Sequence, residues 1–251
     1  MTPMSLPTTS QKLQAFANPA RFMALSGKLL PIAALAAAGL LGTGLYLALF
    51  ASPPDYQQGE TVRIMYVHVP SAWLAMLGYC LIALASAVSL IFRHPLADVA
   101  GRAAAPVGAS FTALALVTGS LWGQPMWGSW WEWDARLTSV LILFFLYLGY
   151  MALWSTLEEP QRAGRAAAVL ALVGSINIPI IHYSVEWWNT MHQPASVLRM
   201  DGPAIHPSML VPLLIMALGF TAFFAALVLL RMRTEILRRR LRVLLLARAE
   251  A

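Results

Sequence analysis

Tryptophan is concentrated in one short part of this 251-residue chain. Five of the nine tryptophans lie between Trp122 and Asp134, in the run WGQPMWGSWWEWD. In membrane proteins, tryptophans usually stand singly or in pairs near helix ends, where they anchor the chain at the membrane surface. Five close together would instead form a broad aromatic surface, which predicts the binding of a flat, apolar ligand.

Two histidines lie beside tryptophans or helix starts elsewhere in the chain. His68 stands in the run MYVHVPSAW, in which Pro70 is expected to occupy the first turn of a helix and to leave the imidazole near the water interface. His192 follows Trp187 and Trp188 in the run SVEWWNTMHQ. Haem needs aromatic surface, and its iron accepts neutral imidazole nitrogens, so two histidines with these tryptophans are suited to haem.

The spacing of the tryptophans predicts how the rings are presented. Trp127, either Trp130 or Trp131, and Asp134 recur at helical spacing, so a short interfacial helix could place several rings on one face. The glycines and the proline within positions 123–128 predict a turn at the beginning of that helix.

Polar groups near the cluster could hold the haem propionates or support the ligands. Arg136 is expected either to bind a propionate or to form an ion pair with Asp134. On spacing alone, the two tryptophans before His192 could equally be membrane-surface residues. The candidate haem-contacting residues beside the two histidines are Trp122, Trp127, Trp130, Trp131, Trp133, Asp134, Arg136, Trp187 and Trp188.

The composition indicates how these residues are positioned. The chain is 59% hydrophobic and only 11% charged, which is typical of an integral membrane protein. We predict an all-α protein with an N-terminal segment 1–28, a six-helix transmembrane domain 29–233 and a basic tail 234–251. Each helix needs about 20 apolar residues. The six apolar runs are 29–50, 69–92, 103–121, 137–157, 166–185 and 208–230.

The basic residues predict the orientation in the membrane. Fourteen of the 17 lysines and arginines lie before the first run, between the second and third, between the fourth and fifth, or after the sixth. The positive-inside rule therefore places both termini in the cytoplasm and the tryptophan cluster outside. Attraction to anionic lipid accounts for the basic tail without nucleic acid, although Arg238, Arg239 and Arg240 could dock on a cytoplasmic partner.

Several classes of function are disfavoured. The six apolar runs contain no Asp, Glu, Lys or Arg, whereas ion-coupled carriers usually place such groups in the membrane. No nucleotide-binding loop is present, so an ATP-driven step would need another subunit. Cys80 is the single cysteine and cannot form an intrachain disulfide.

Other interpretations stay open. His182 could be a ligand, although a packing role is favoured because it lies inside an apolar run. A b-type cytochrome is one alternative function, but its histidines usually lie deep within helices. A haem-free permease or a scaffold subunit of an ABC transporter is another, in which the tryptophans would be membrane-surface residues only.

The run WGSWWEWDARLTS, residues 127–139, resembles the tryptophan-rich WWD signature of haem-handling membrane proteins. More closely, the chain resembles the CcmC family, the haem exporter protein C of bacterial cytochrome c maturation, over about residues 29–233. Met191 stands where that family more often has leucine. The blocks that carry this resemblance are 65–73, 127–150, 184–193 and 206–209.

The resemblance implies a function. It implies a six-helix inner-membrane protein that holds haem b at the periplasmic face and passes it to the haem chaperone CcmE. The ABC transporter subunits CcmA and CcmB and the small membrane protein CcmD would be partners. The family's axial ligands fall on His68 and His192 of this chain. The protein would present haem rather than act as an enzyme.

Overall fold

The computed structural model describes residues 18–188, 190–194, 196, 197 and 199–249. This part of the chain forms helices and contains no β-strand. A π-helical turn, Leu47–Ala51, extends the first helix, and a 3-10 turn, Glu60–Ile64, precedes the second. The helices of the described residues are α1 Pro19–Tyr46, α2 Met65–Phe92, α3 Ala97–Trp127, α4 Ala135–Thr156, α5 Pro160–Gly174, α6 Asn177–Trp187 and α7 Pro207–Ala249.

Six helical stretches of the described chain are long and apolar enough to cross a membrane, and α5 and α6 together form one of them. The prediction of an all-α membrane protein with six spans is therefore confirmed. The outermost helices are longer than the apolar runs. α1 starts at Pro19, where the Asn18 side chain caps it with a 2.8 Å hydrogen bond, and α7 continues to Ala249. Parts of the predicted segments 1–28 and 234–251 are thus helical.

The second span begins earlier than its apolar run. The chain is helical from Met65, so Pro70 lies inside α2, and its predicted place in the first turn is wrong. Neighbouring helices allow proline inside membrane helices because they compensate for the lost backbone bond. His68 consequently belongs to the first turn of α2, where it is half-buried between helices.

The fifth span is two helices, not the single helix that the run 166–185 predicts. α5 ends at Gly174, and α6 starts at Asn177. The Asn177 side-chain amide donates a 2.8 Å hydrogen bond to the backbone carbonyl of Ser139 in α4. A polar side chain at the break thus fixes α6 against the beginning of α4.

Two buried tyrosines hold the centre of the bundle. The rings of Tyr79 in α2 and Tyr147 in α4 meet edge to face, with centroids 5.1 Å apart. The Tyr147 hydroxyl donates a 2.7 Å hydrogen bond to the Ala75 carbonyl. Because both side chains are fully buried, α2 and α4 are fixed relative to each other below the site.

Three connecting segments meet at one end of the bundle, which we call the tryptophan end. The segment after α1 reaches the end of α3 through a 2.8 Å hydrogen bond from the Trp122 indole to Gln58. The segment after α6 reaches the beginning of α4 through His192 and Asp134. If successive spans alternate in direction, the segments after α1, α3 and α6 belong to one side of the membrane. In the structure these segments lie together.

Ion pairs between α3 and α7 mark the opposite end, which we call the arginine end. Arg239 pairs with Asp98 at 2.8 Å, and Arg102 pairs with Glu235 at 2.8 Å. α7 extends beyond these pairs, and its residues from position 241 onward are exposed. The assignment of the two ends to the two sides of the membrane stays a prediction.

Candidate functional site

The tryptophan segment between α3 and α4 is not helical, and the predicted interfacial helix is wrong. α3 continues through Pro125 to Trp127 and ends at Gly128, whose φ of 78° is in the left-handed region. Glycine adopts this conformation without strain, and it is a common helix terminator. The next helix is capped by Asp134, so residues 128–134 form an irregular link.

This irregular link separates the tryptophans into buried and exposed rings. Ser129 closes a local turn by hydrogen bonds with the backbone of Trp131. The rings of Trp131 and Trp133 meet edge to face, 5.5 Å apart. Trp130 and Trp133 are 60% and 76% exposed, whereas the Nε1 of Trp131 is buried and has no hydrogen-bond partner among the described residues.

His192 is held by the carboxylate that caps α4. Its Nδ1 lies 2.8 Å from Oδ2 of Asp134, while Oδ1 of the same carboxylate accepts a 2.7 Å hydrogen bond from the Leu137 amide. A carboxylate only accepts, so the imidazole proton is assigned to Nδ1. This leaves Nε2 of His192 with a free lone pair, an arrangement that commonly supports histidine ligands of metals.

The electrostatic environment keeps His192 neutral. Burial lowers the pKa of His192, the hydrogen bond and the charge of Asp134 oppose this shift, and the charge of Arg136 adds to it. The net direction is downward from an ordinary value of 6.5. A neutral imidazole at pH 7 is the form that binds iron.

Aromatic contacts connect His192 to α3. The Trp127 ring meets the imidazole edge to face at 5.1 Å, and it meets the Trp122 ring at the same distance. Trp127 lies close over Gly123, where a Cβ atom would come within 3.2 Å of the indole. The absence of a side chain at position 123 therefore allows the indole to fold back toward the bundle.

His68 is held by a hydroxyl of α3. Its Nδ1 lies 3.0 Å from Oγ1 of Thr118, and that hydroxyl donates to the Leu114 carbonyl at 2.7 Å. The single hydroxyl proton is thereby used, so Thr118 accepts from the imidazole Nδ1. Nε2 of His68 therefore also carries the free lone pair. α3 approaches the His68 ring closely at Gly119, where a Cβ atom would lie 3.2 Å from Cε1 of that ring.

The structure brings the two predicted ligands together at one end of the bundle. His68 contacts α3 at Thr118 and His192 contacts it at Trp127, so both imidazoles lie against the last ten residues of that helix. Among the described residues, neither Nε2 has a hydrogen-bond partner, which fits two imidazoles available to one iron. His182 is exposed on α6 and contacts Tyr183 instead.

Arg136 does not form the ion pair with Asp134 that was one of its two predicted roles. Its Nε donates to the Ser184 hydroxyl at 3.1 Å, and its Nη2 donates to the carbonyls of Ile181 and His182. These bonds tie the start of α4 to α6. Among the described residues, Nη1 has no partner and could donate to an acid.

The last two predicted tryptophans lie on the outside of α6. Trp187 and Trp188 are 57% and 49% exposed, and Trp187 stacks on Tyr183 with ring centroids 5.2 Å apart. The structure shows no contact of either ring with the two histidines. Their expected contact with haem stays a prediction.

The sequence analysis did not identify three residues that hold candidate site residues in place. Thr118 holds His68, Gln58 holds Trp122, and Ser184 holds Arg136. The first has a weak signal in the sequence, because a threonine inside an apolar run needs a partner. Gln58 and Ser184 have no such signal, and all three pairs join residues more than 40 positions apart in the chain.

Comparisons with known proteins agree on one family. A family model described as heme exporter protein C (CcmC) matches residues 12–247. The heme exporter protein C of Bradyrhizobium diazoefficiens is 61% identical over 233 residues, which are 93% of this chain and 88% of that protein. The proteins of the same name from Haemophilus influenzae and Escherichia coli K12 are both 47% identical over 90% of this chain, and over 92% and 91% of their own lengths.

Proposed function

This chain belongs to the heme exporter protein C (CcmC) family, and we propose that it holds haem b between His68 and His192 and delivers it to the haem chaperone CcmE. The family supports a role in haem export and cytochrome c maturation. The pair of imidazoles, each fixed through Nδ1 and each with a free Nε2, is the observation that supports haem binding at these two residues.

The two ligands are supported differently. Asp134 gives His192 a charged acceptor, which increases the electron donation of the imidazole to a metal. Thr118 gives His68 a neutral acceptor, which fixes the ring with less electronic effect. If both imidazoles held the iron, His192 would be the stronger donor and His68 the weaker one, and we would expect His68 to release the haem more readily.

The remaining candidate residues are assigned by their exposure and free donors. The Nη1 of Arg136 and the buried Nε1 of Trp131 are the donors that we assign to the propionates. Trp130 and Trp133, which are exposed, would lie between the haem edge and the chaperone. The protein would contribute positioning, and the reactive vinyl group would belong to the haem.

The proposal includes a location and partners. The tryptophan end would face the periplasm, and the arginine end the cytoplasm, in the bacterial inner membrane. CcmA, CcmB and CcmD would be the other components with which the chain assembles. The six spans and the family together make the chain a multi-pass membrane protein of the haem exporter system.

Haem titration of the full-length protein in detergent tests the proposal. We expect a low-spin spectrum typical of two imidazole ligands, and loss of that haem to added CcmE. A haem-free permease or scaffold would give no such spectrum. A b-type electron carrier would keep its haem in the presence of CcmE, and either result would contradict the proposal.

Replacement of Thr118 by valine should weaken haem binding modestly. Valine keeps the shape but removes the acceptor, so the His68 ring loses its orientation. The loss of one neutral hydrogen bond corresponds to about three- to tenfold in affinity. Haem affinity and the low-spin fraction of the spectrum are the measurements.

Thr112→Val is the matched control for this change. Thr112 also lies in α3, and its buried hydroxyl likewise donates to the carbonyl four residues earlier, at 2.8 Å. It contacts neither histidine among the described contacts, so haem affinity should stay unchanged. Equal effects of the two substitutions would show that Thr118 supports the helix and not the ligand.

Joint replacement of Trp130 and Trp133 by alanine should impair transfer far more than binding, although Trp133 also packs on Trp131. Both rings are exposed, so their removal leaves the two histidines and their acceptors intact. Loss of aromatic anchors from an interface typically costs about 2 kcal/mol or more, and we expect transfer at least about tenfold slower. The rate of haem transfer to CcmE is measured against the haem affinity. Normal transfer would exclude these rings from the contact surface.

A further inference from the structure

A cleft opens at the arginine end, far from the two histidines. It has a volume of about 240 Å³ and lies between α3, α4 and α7. Two arginines, Arg102 and Arg231, line it together with Trp154. Ala105, Pro106 and Met151 supply apolar surface in the same cleft. We propose that this cleft binds the phosphate headgroup of an anionic phospholipid.

The first arginine of the cleft is fixed in place. The guanidinium of Arg102 lies 4.5 Å from the centre of the Trp154 ring and donates through Nη1 to Glu235 at 2.8 Å. Its Nε and Nη2 have no partner among the described residues. Stacking and the ion pair thus orient the planar group, with donors left for a second acid.

The second arginine supplies unbalanced charge. Arg231 is exposed and forms no ion pair within the described chain. Nearby, Arg102 and Arg239 share Glu235, and Arg239 also pairs with Asp98. Asp98 and Glu235 are thus engaged by Arg102 and Arg239, and Arg231 is the arginine of the cleft with which neither carboxylate pairs.

A buried donor and the apolar wall of the cleft favour a lipid over a soluble anion. The Nε1 of Trp154 is buried near the Tyr150 hydroxyl without a hydrogen bond of normal geometry. Trp154 stands two residues before the end of α4, where tryptophans mark the membrane surface. Apolar walls below a cationic rim suit a molecule with a phosphate head and acyl chains.

Lipid retention by the full-length protein tests this site. The protein is purified in mild detergent, supplied with phosphatidylglycerol or phosphatidylcholine, and examined by native mass spectrometry. We expect phosphatidylglycerol to be retained in preference to phosphatidylcholine. Arg231→Gln should reduce that retention about five- to tenfold, as expected for one basic residue at a membrane surface.

Arg242→Gln is the matched control. Arg242 lies in the same helix and is exposed beyond the bundle, so the charge change is equal. Retention of phosphatidylglycerol should be normal in Arg242→Gln. Arg231→Lys, which keeps the charge, should retain more of this lipid than Arg231→Gln does. Equal loss in both glutamine variants would overturn the proposal in favour of general attraction by the basic tail. Displacement of the lipid by excess inorganic phosphate would also overturn it, because the site would then serve a soluble anion.

Discussion

Replacement of either His68 or His192 by alanine should abolish tight haem binding. Loss of a residue that only supports a metal ligand costs about 10–100-fold in affinity, so loss of the ligand itself should cost more than about a hundredfold. The low-spin spectrum should disappear in both variants. Each histidine is replaced separately. Haem titration of each variant, followed by absorption, measures the haem affinity and the low-spin spectrum.

The structure offers a control and a rescue for this experiment. His182 is exposed on α6, in the same part of the chain as His192, so His182→Ala should leave the spectrum unchanged. Added imidazole should restore a low-spin spectrum in the folded alanine variants, because the space of the missing ring can hold it. An unchanged spectrum in His68→Ala would remove His68 from the ligand pair.

The six spans were predictable because membrane thickness sets the length of an apolar run. The ends of the helices were less predictable. α1 and α7 continue through charged residues, since a helix can extend beyond the apolar region wherever neighbouring chain supports it. For example, Arg233 donates from α7 to the Met23 carbonyl and to Ser26 of α1. Such contacts between distant parts of the chain have no local pattern.

In the candidate site, too, some features follow from the local sequence and others depend on contacts between distant residues. The residue types of the site, two histidines among tryptophans, were predictable from chemistry. The shape of the tryptophan segment was not, because the glycines and the proline of 123–128 predicted a turn, whereas α3 continues to Trp127 and ends only at Gly128. The pairing of His192 with Asp134 joins residues 58 positions apart, and that of His68 with Thr118 joins residues 50 apart. Only the packing of α2 against α3, and of the segment after α6 against the start of α4, establishes these pairs.

Replacement of Asp134 by asparagine should weaken haem binding strongly without destabilising the fold. Asp134 uses both oxygens, one for the Leu137 amide and one for Nδ1 of His192. Asparagine has a single acceptor oxygen, which can serve only one of these donors. If it caps α4, its NH₂ group faces Nδ1, and the imidazole proton must move to Nε2. The iron-binding nitrogen is then blocked, and we expect a loss of about 10–100-fold in haem affinity.

Three variants separate this effect from helix capping. Asparagine caps helices about as well as aspartate, so the thermal stability of Asp134→Asn should match that of the native protein, whereas Asp134→Ala should lose about 1 kcal/mol. Asp201→Asn changes an exposed carboxylate of the segment that carries His192 and should leave haem affinity unchanged. In a His192→Ala background, Asp134→Asn should have no further effect on haem binding. A full additional loss there would mean that Asp134 acts on haem directly and not through the tautomer of His192.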